Sequence, residues 1–188
     1  MFFNLPTLFT WGRIIAIPLV VGVFYLGLEH RLQNLLATLL FIVVALTDWA
    51  DGYLARRLKM TSSFGAFLDP VADKFLICAA LLVLVQEQRL HALVALVIIG
   101  REIAISALRE WMAHIGASRS VAVSMLGKVK TVVQMVAIPF LLYHGTLFGV
   151  IDTSLWGTIL IDASAVLTIW SMIYYLRKAL PEIRAKVR

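Results

Sequence analysis

Between two apolar runs, LLATLLFIVVALT and KFLICAALLVLV, the chain places four aspartates: Asp48, Asp51, Asp69 and Asp73. Runs of that kind belong in a bilayer, where a carboxylate near the middle of a helix costs about 2.5–3.5 kcal/mol on insertion scales. Acids kept there line a polar cavity or bind something, and four together demand positive charge. On helices, Asp48 and Asp51 stand at i and i+3 and Asp69 and Asp73 at i and i+4, so each pair shares a face. The short connection RLKMTSSF would turn the chain between them and oppose the two acidic faces. All-oxygen, anionic ligands on two rigid elements suit Mg²⁺ or Mn²⁺ rather than zinc or copper. Four carboxylates can hold two such ions with phosphates between them. Gly52 and Ala55 continue the Asp48 stripe, and Gly65 stands one turn before Asp69, leaving room for a ligand against backbone. Arg56 adds a fixed cation suited to a phosphate.

The rest of the chain agrees with a membrane setting. Of its 188 residues, 61% are hydrophobic and the mean hydropathy is +0.91. A soluble domain averages about 45–50% apolar residues. The expected fold class is therefore all-α: a polytopic membrane protein with six transmembrane helices in one bundle and a short N-terminal interfacial segment. A single domain, 1–188, is expected. The spans are read at roughly 8–28, 34–54, 65–86, 91–112, 126–146 and 154–176. MFFNLPTLFTWGR lacks a basic leader and a small-residue cleavage site, so no cleaved signal peptide is expected. The net charge of +6 sits beside apolar spans, not in a polar basic domain, which argues against nucleic acid. Cys78, the single cysteine, reads as a small core residue.

Lys and Arg give the orientation. Six spans would put both termini on one side with fifteen of the seventeen basic residues, leaving only Arg31 and Arg89 on the other. The crowded side is the cytoplasmic one by the positive-inside rule. The acidic stretch then faces the cytoplasm, and the tail RKALPEIRAKVR lies on anionic headgroups. His30, His91 and His144 fall in the outer loops and are expected at the interface.

A second constellation occupies spans four and five, GREIAISALREWMA and SVAVSMLGKVKTVVQM. Arg101 and Arg109, eight residues apart, lie about 80° apart around a helix and share a broad face. Glu102 would orient one of them. Lys128 and Lys130, at i and i+2, point apart on a regular helix, so one is favoured as a direct ligand. Together these cations suit a phosphorylated substrate. Asp162, in span six, lies outside both groups. It is expected to satisfy a polar group on a neighbouring helix, with cavity lining the second reading.

The pattern D-x2-D-G-x2-A-R-x8-G-x3-D-x3-D is filled by Asp48, Asp51, Gly52, Ala55, Arg56, Gly65, Asp69 and Asp73. It resembles the CDP-alcohol phosphotransferase family at every position. NLPTLFTWGRIIAIPL, REIAISALREWM and AVLTIWSMIYYL extend the likeness over nearly the whole chain, toward members that use a glycerol phosphate acceptor. The resemblance implies a phospholipid-biosynthetic transferase of the bacterial cytoplasmic (inner) membrane. CDP-diacylglycerol and sn-glycerol 3-phosphate would be its substrates, two Mg²⁺ or Mn²⁺ ions its cofactors and a homodimer its assembly. It also implies roles: Asp48, Asp51, Asp69 and Asp73 as metal ligands, and Asp73 as general base. Gly52, Ala55, Arg56 and Gly65 would hold the CDP portion, and Arg101, Arg109, Lys128 and Lys130 the acceptor phosphate. Acceptors such as inositol phosphate or phosphatidylglycerol remain open. So do an intramembrane prenyltransferase, which would not need the G-x2-A-R element, and an ion-coupled transporter, which would spread its acids through the membrane depth.

Overall fold

The computed structural model describes the backbone of residues 5–58, 63–117 and 125–186, with side chains for 10–47, 68–117, 125 and 127–185. Six α-helices account for nearly all of it. They are α1 (Leu5–Gly22), α2 (His30–Leu58), α3 (Ser63–Gln86), α4 (Ala92–His114), α5 (Met125–Tyr143) and α6 (Thr153–Lys186). A 3₁₀ turn, Val23–Tyr25, extends α1. Each apolar run thus yields one helix, with the ends moved. Helix α2 continues to Leu58 and α3 begins at Ser63, so the connection between the acidic pairs is shorter than RLKMTSSF. Helix α6 runs through Pro181 into the basic tail. Among the described residues, two helices, α2 over His30–Thr47 and α6 over Thr153–Ala185, are long and apolar enough to cross a membrane. At 1.5 Å per residue α6 spans about 51 Å, well beyond the ~30 Å hydrocarbon thickness.

The helices pack through two clusters. In the larger, Ile17, Phe41, Leu81, Leu84, Ile98, Ile138, Leu141 and Ile161 close the centre of the bundle. The smaller gathers Ile105, Leu108, Met112, Tyr175 and Ala179 between α4 and α6. Where lipid tails are as apolar as leucine, close packing and polar contacts between helices carry the association. Helices α5 and α6 make the most extensive pairing. Gly157 permits it: a Cβ there would meet the Leu141 side chain at 2.8 Å. Helix α1 packs against both α2 and α3, while α4 lies on α6.

Short polar devices fix the turns at the end away from the acidic motif. Asp152 Oδ1 accepts the N–H groups of Ser154 and Leu155 at 2.9 and 3.2 Å, capping α6. Thr153 donates to the Gly145 carbonyl at 2.7 Å. Between them, Thr146–Leu147 and Ile151–Asp152 pair as a two-stranded antiparallel hairpin. Its turn is closed by the Val150 N–H on the Leu147 carbonyl at 3.2 Å. Both central residues, Phe148 and Gly149, hold positive φ (53° and 72°), as primed hairpin turns require.

Candidate active site

Six motif residues lie on helix ends: Asp48, Asp51, Gly52, Ala55 and Arg56 on the last turns of α2, and Gly65 in the first turn of α3. Their side chains fall outside the described residues, as does the expected opposition of the two acidic faces. The other two are described. Asp69 and Asp73 stand one turn apart on α3, both partly exposed. Pro70 follows Asp69 and has no N–H to give, so this turn lacks one rung of the helical ladder.

Their neighbour among the described residues is α1, which sequence reasoning had treated only as an interfacial segment and first span. Thr10 donates its hydroxyl to Asp69 Oδ1 at 2.5 Å. The Arg13 guanidinium donates to Asp73 Oδ1 at 2.6 Å, with side-chain exposures of 2% for Arg13 and 39% for Asp73. A buried arginine thus meets a carboxylate that still reaches solvent. The signal was present, since Thr10 and Arg13 sit at i and i+3 in LFTWGR. From sequence alone Arg13 counts toward orientation and Thr10 carries no role. Two oxygen-only, anionic donors one turn apart fit the ligand chemistry of a hard divalent cation such as Mg²⁺ or Mn²⁺.

The second cluster lies where α4, α5 and α6 meet. Arg101, buried, donates through one terminal nitrogen to Glu102 Oε1 at 3.1 Å and through the other to Ser171 Oγ at 3.2 Å. Lys130, only 2% exposed, donates to the same Glu102 oxygen. Arg109 approaches the Tyr175 hydroxyl at 3.5 Å. The guanidinium carbons of Arg101 and Arg109 lie 5.8 and 5.3 Å from the centre of the Tyr175 ring. A stack of arginines on an aromatic face is favourable where water is excluded.

The structure therefore brings Arg101, Arg109 and Lys130 together around Glu102 and Tyr175. Lys128 it does not: that side chain is exposed on the opposite side of α5. The i, i+2 spacing predicts such a split, and Lys130 is the inward one. Three cations against one carboxylate leave two positive charges, the complement of a phosphomonoester carrying about −1.5 to −2 at pH 7. Arg101 and Arg109 each keep a buried Nε–H with no acceptor among the described residues, as does Gln134 Nε2. Buried donors without partners cost stability, and a site awaiting an anion explains them.

Sequence reasoning missed the α6 side of this cluster, where Ser171 and Tyr175 meet the arginines. Ser164, Thr168, Ser171 and Tyr175 are all buried to within 1%. Their spacing of four, three and four residues follows the helical repeat, so these four hydroxyls share one inward stripe. Gln134, one turn from Lys130 on α5, was missed likewise. Asp162 does neither thing expected of it. It lies exposed on the outer face of α6, with no side-chain partner among the described residues.

The chain resembles known proteins over nearly its whole length. The family model described as CDP-alcohol phosphatidyltransferase matches residues 3–171. A protein of Haemophilus influenzae named CDP-diacylglycerol–glycerol-3-phosphate 3-phosphatidyltransferase is 47% identical over 181 residues, covering 95% of each chain. Proteins of the same name from Salmonella choleraesuis and Escherichia coli K12 are 47% and 48% identical, over 95% of this chain and 96% of theirs. The family match spans the aspartate stretch, the α4–α5 cations and α6 as far as Ser171, and the chain belongs to the CDP-alcohol phosphatidyltransferase family.

Proposed function

We propose that the chain moves a phosphatidyl group from CDP-diacylglycerol to sn-glycerol 3-phosphate, giving phosphatidylglycerol phosphate and CMP. The names of its relatives support that activity, and the same reaction serves phospholipid biosynthesis. One observation carries the choice of acceptor: the Arg101–Arg109–Lys130 group, with Arg101 and Lys130 buried and Arg109 half-buried, keeps two buried Nε–H donors unmatched among the described residues. A pocket with net charge of about +2 favours a phosphate dianion over an amino acid such as serine. Nothing in the family now supports the prenyltransferase or transporter readings.

In this reading the acceptor's primary hydroxyl oxygen attacks the phosphatidyl phosphorus. The phosphorus–oxygen bond to CMP breaks, and CMP leaves with the electron pair. Asp73 takes the hydroxyl proton on its carboxylate. Arg13, held against that carboxylate, keeps its position. A carboxylate is a weak base for an alcohol, so orientation of the two substrates must supply most of the rate. Asp48, Asp51, Asp69 and Asp73 would hold two Mg²⁺ or Mn²⁺ ions, which when bound neutralise the diphosphate and the departing CMP. Gly52, Ala55, Arg56 and Gly65 would seat the CDP portion. Arg101, Arg109 and Lys130 would seat the acceptor phosphate, with Glu102 spacing Arg101 from Lys130.

The same proposal sets the protein in the membrane. The six helices form one membrane-embedded domain of six spans in the bacterial inner membrane, with the acidic motif toward the cytoplasm. It works as a homodimer. The lipid donor would then arrive sideways from the bilayer and the soluble acceptor from the cytoplasm.

The test is an acceptor profile. CMP release from CDP-diacylglycerol is measured with purified protein, with Mg²⁺ or Mn²⁺ and after chelation. Release is expected with sn-glycerol 3-phosphate and metal together. Turnover with inositol phosphate or phosphatidylglycerol in its place, or undiminished turnover without metal, would overturn the assignment.

A further inference from the structure

At the end of the bundle opposite the aspartates lies a cavity of about 630 Å³ that the transferase chemistry does not use. It is lined by His30, Arg31 and Asn34 from the start of α2, Glu87 and Arg89 from the α3–α4 connection, and His144 after α5. We propose that this cavity binds the phosphate headgroup of an anionic phospholipid.

Arg89 builds its floor. The Arg89 side chain is only 7% exposed. Its guanidinium donates to the Leu142 carbonyl and to Asn34 Oδ1, both at 2.8 Å. It lies 5.9 Å from the Phe24 ring centre, and Glu87 approaches at 3.4 Å. Burial pulls the guanidinium below its ordinary value, with Glu87 opposing, yet an arginine remains charged at neutral pH. Arg31, exposed at the mouth, has no side-chain partner among the described residues. Two arginines against Glu87 give the lining side chains a net positive charge, with Asp152 near His144 the opposing acid outside the lining. The first turn of α2 itself carries no acid and its N-terminal dipole adds to the same sign, partly offset by the exposed Glu29 that precedes it. His144 sits 3.0 Å from the Ser154 hydroxyl through Nδ1.

The rim selects an amphiphile over a soluble anion. Phe148 and Val150, on the hairpin that borders the cavity, are 87% and 86% exposed. Phe148 also holds a φ of 53°, a conformation that bulky residues avoid. The turn sets that φ, and the exposure leaves the Phe148 ring outside the packed helices. Trp156, Tyr25 and Leu26 are exposed at the same end. Aromatic residues of this kind sit at headgroup depth, where apolar body meets polar surface. A polar, positive cavity ringed by such residues matches a phosphate attached to acyl chains.

This inference stands apart from the transferase reading, because its residues lie away from the aspartates and from the α4–α6 cations. The probe is phosphatidylglycerol with a photoreactive group near the headgroup end of one acyl chain, carried in phosphatidylcholine nanodiscs holding the full chain. Labelling is expected on residues 145–157. The Arg31→Gln/His144→Gln double variant leaves Arg89 and its helix contacts intact. It should lower that labelling about tenfold or more, the loss that follows removal of a charge-assisted contact, while CMP release is unchanged. Photoreactive phosphatidylcholine should label these residues far less. Equal labelling of the variant, or by phosphatidylcholine, overturns the proposal. Displacement of the probe by millimolar inorganic phosphate would make free phosphate the ligand and would overturn it too.

Discussion

Buried arginines occur at both ends of this molecule and are used differently. At the far end, Arg89 gives its terminal nitrogens to helix carbonyls of α5, to Asn34 and to Glu87. Such an arginine is a structural clasp: it satisfies carbonyls at the end of α5 that have no intrahelical partner. At the near end, Arg101 is buried and Arg109 half-buried, and each retains a buried Nε–H unmatched among the described residues. They rest on an aromatic ring and a serine instead of being consumed by carbonyls. Burial alone does not separate a binding arginine from a supporting one. The balance of donors used and donors left does.

The largest expected effect lies among the acids. Asp69→Asn keeps size and removes an anionic ligand, so CMP release should fall by orders of magnitude with the protein still inserted. Asp162→Asn, on the exposed face of α6, should cost far less. Equal losses would mean that the near end is ordinary membrane packing.

Next come the cations. Neutralising Lys130 removes a charge-assisted contact worth about 1.5–3 kcal/mol, roughly ten- to a hundredfold in affinity. Lys130→Gln, Arg101→Gln and Arg109→Gln should therefore raise the KM for sn-glycerol 3-phosphate and leave the donor's KM near its original value. Lys128→Gln should do neither, since that side chain is exposed away from the cluster. Arg56→Gln should weaken the CDP-diacylglycerol side. If all the cluster variants raise only the donor's KM, the near-end pocket serves the nucleotide.

These expectations show what was legible in the chain. Helix number and type could be read because apolar runs of span length leave few alternatives. The acidic motif could be read because its residue types and spacings are rigid. Arg101, Arg109 and Lys130 stood out as charges in apolar sequence. Ser171, Thr168 and Gln134 did not, because an uncharged polar residue inside a membrane helix is common and its direction depends on packing. Thr10 and Arg13 were invisible as site residues because their partners lie 59 and 60 positions away. The inward turn of Lys130 was half legible: spacing said one lysine must face away, and only α5's packing said which.

At the far end the expected effect is on stability. Arg89→Gln would strand the Leu142 carbonyl and Asn34 Oδ1, at about 1–3 kcal/mol for each buried polar group left unpaired. The melting temperature in detergent should drop, while both KM values stay near those of the parent. A raised acceptor KM without a lower melting temperature would erase the contrast between the two ends.

The smallest effect tests how the near-end arginines are held. Ser171 accepts from Arg101 at 3.2 Å and donates to the Thr168 carbonyl at 2.9 Å. Ser171→Ala removes one neutral acceptor, worth about 1 kcal/mol, or roughly fivefold in affinity. If that hydroxyl aims the guanidinium at the acceptor phosphate, the KM for sn-glycerol 3-phosphate should rise by that amount, with the donor's KM and the melting temperature nearly unmoved. The effect should also vanish in an Arg101→Gln background, because a residue that works only through Arg101 has nothing left to aim. Additive losses in the double variant would assign Ser171 to α6 packing. The near-end arginine would then be held by Glu102 and the Tyr175 ring alone.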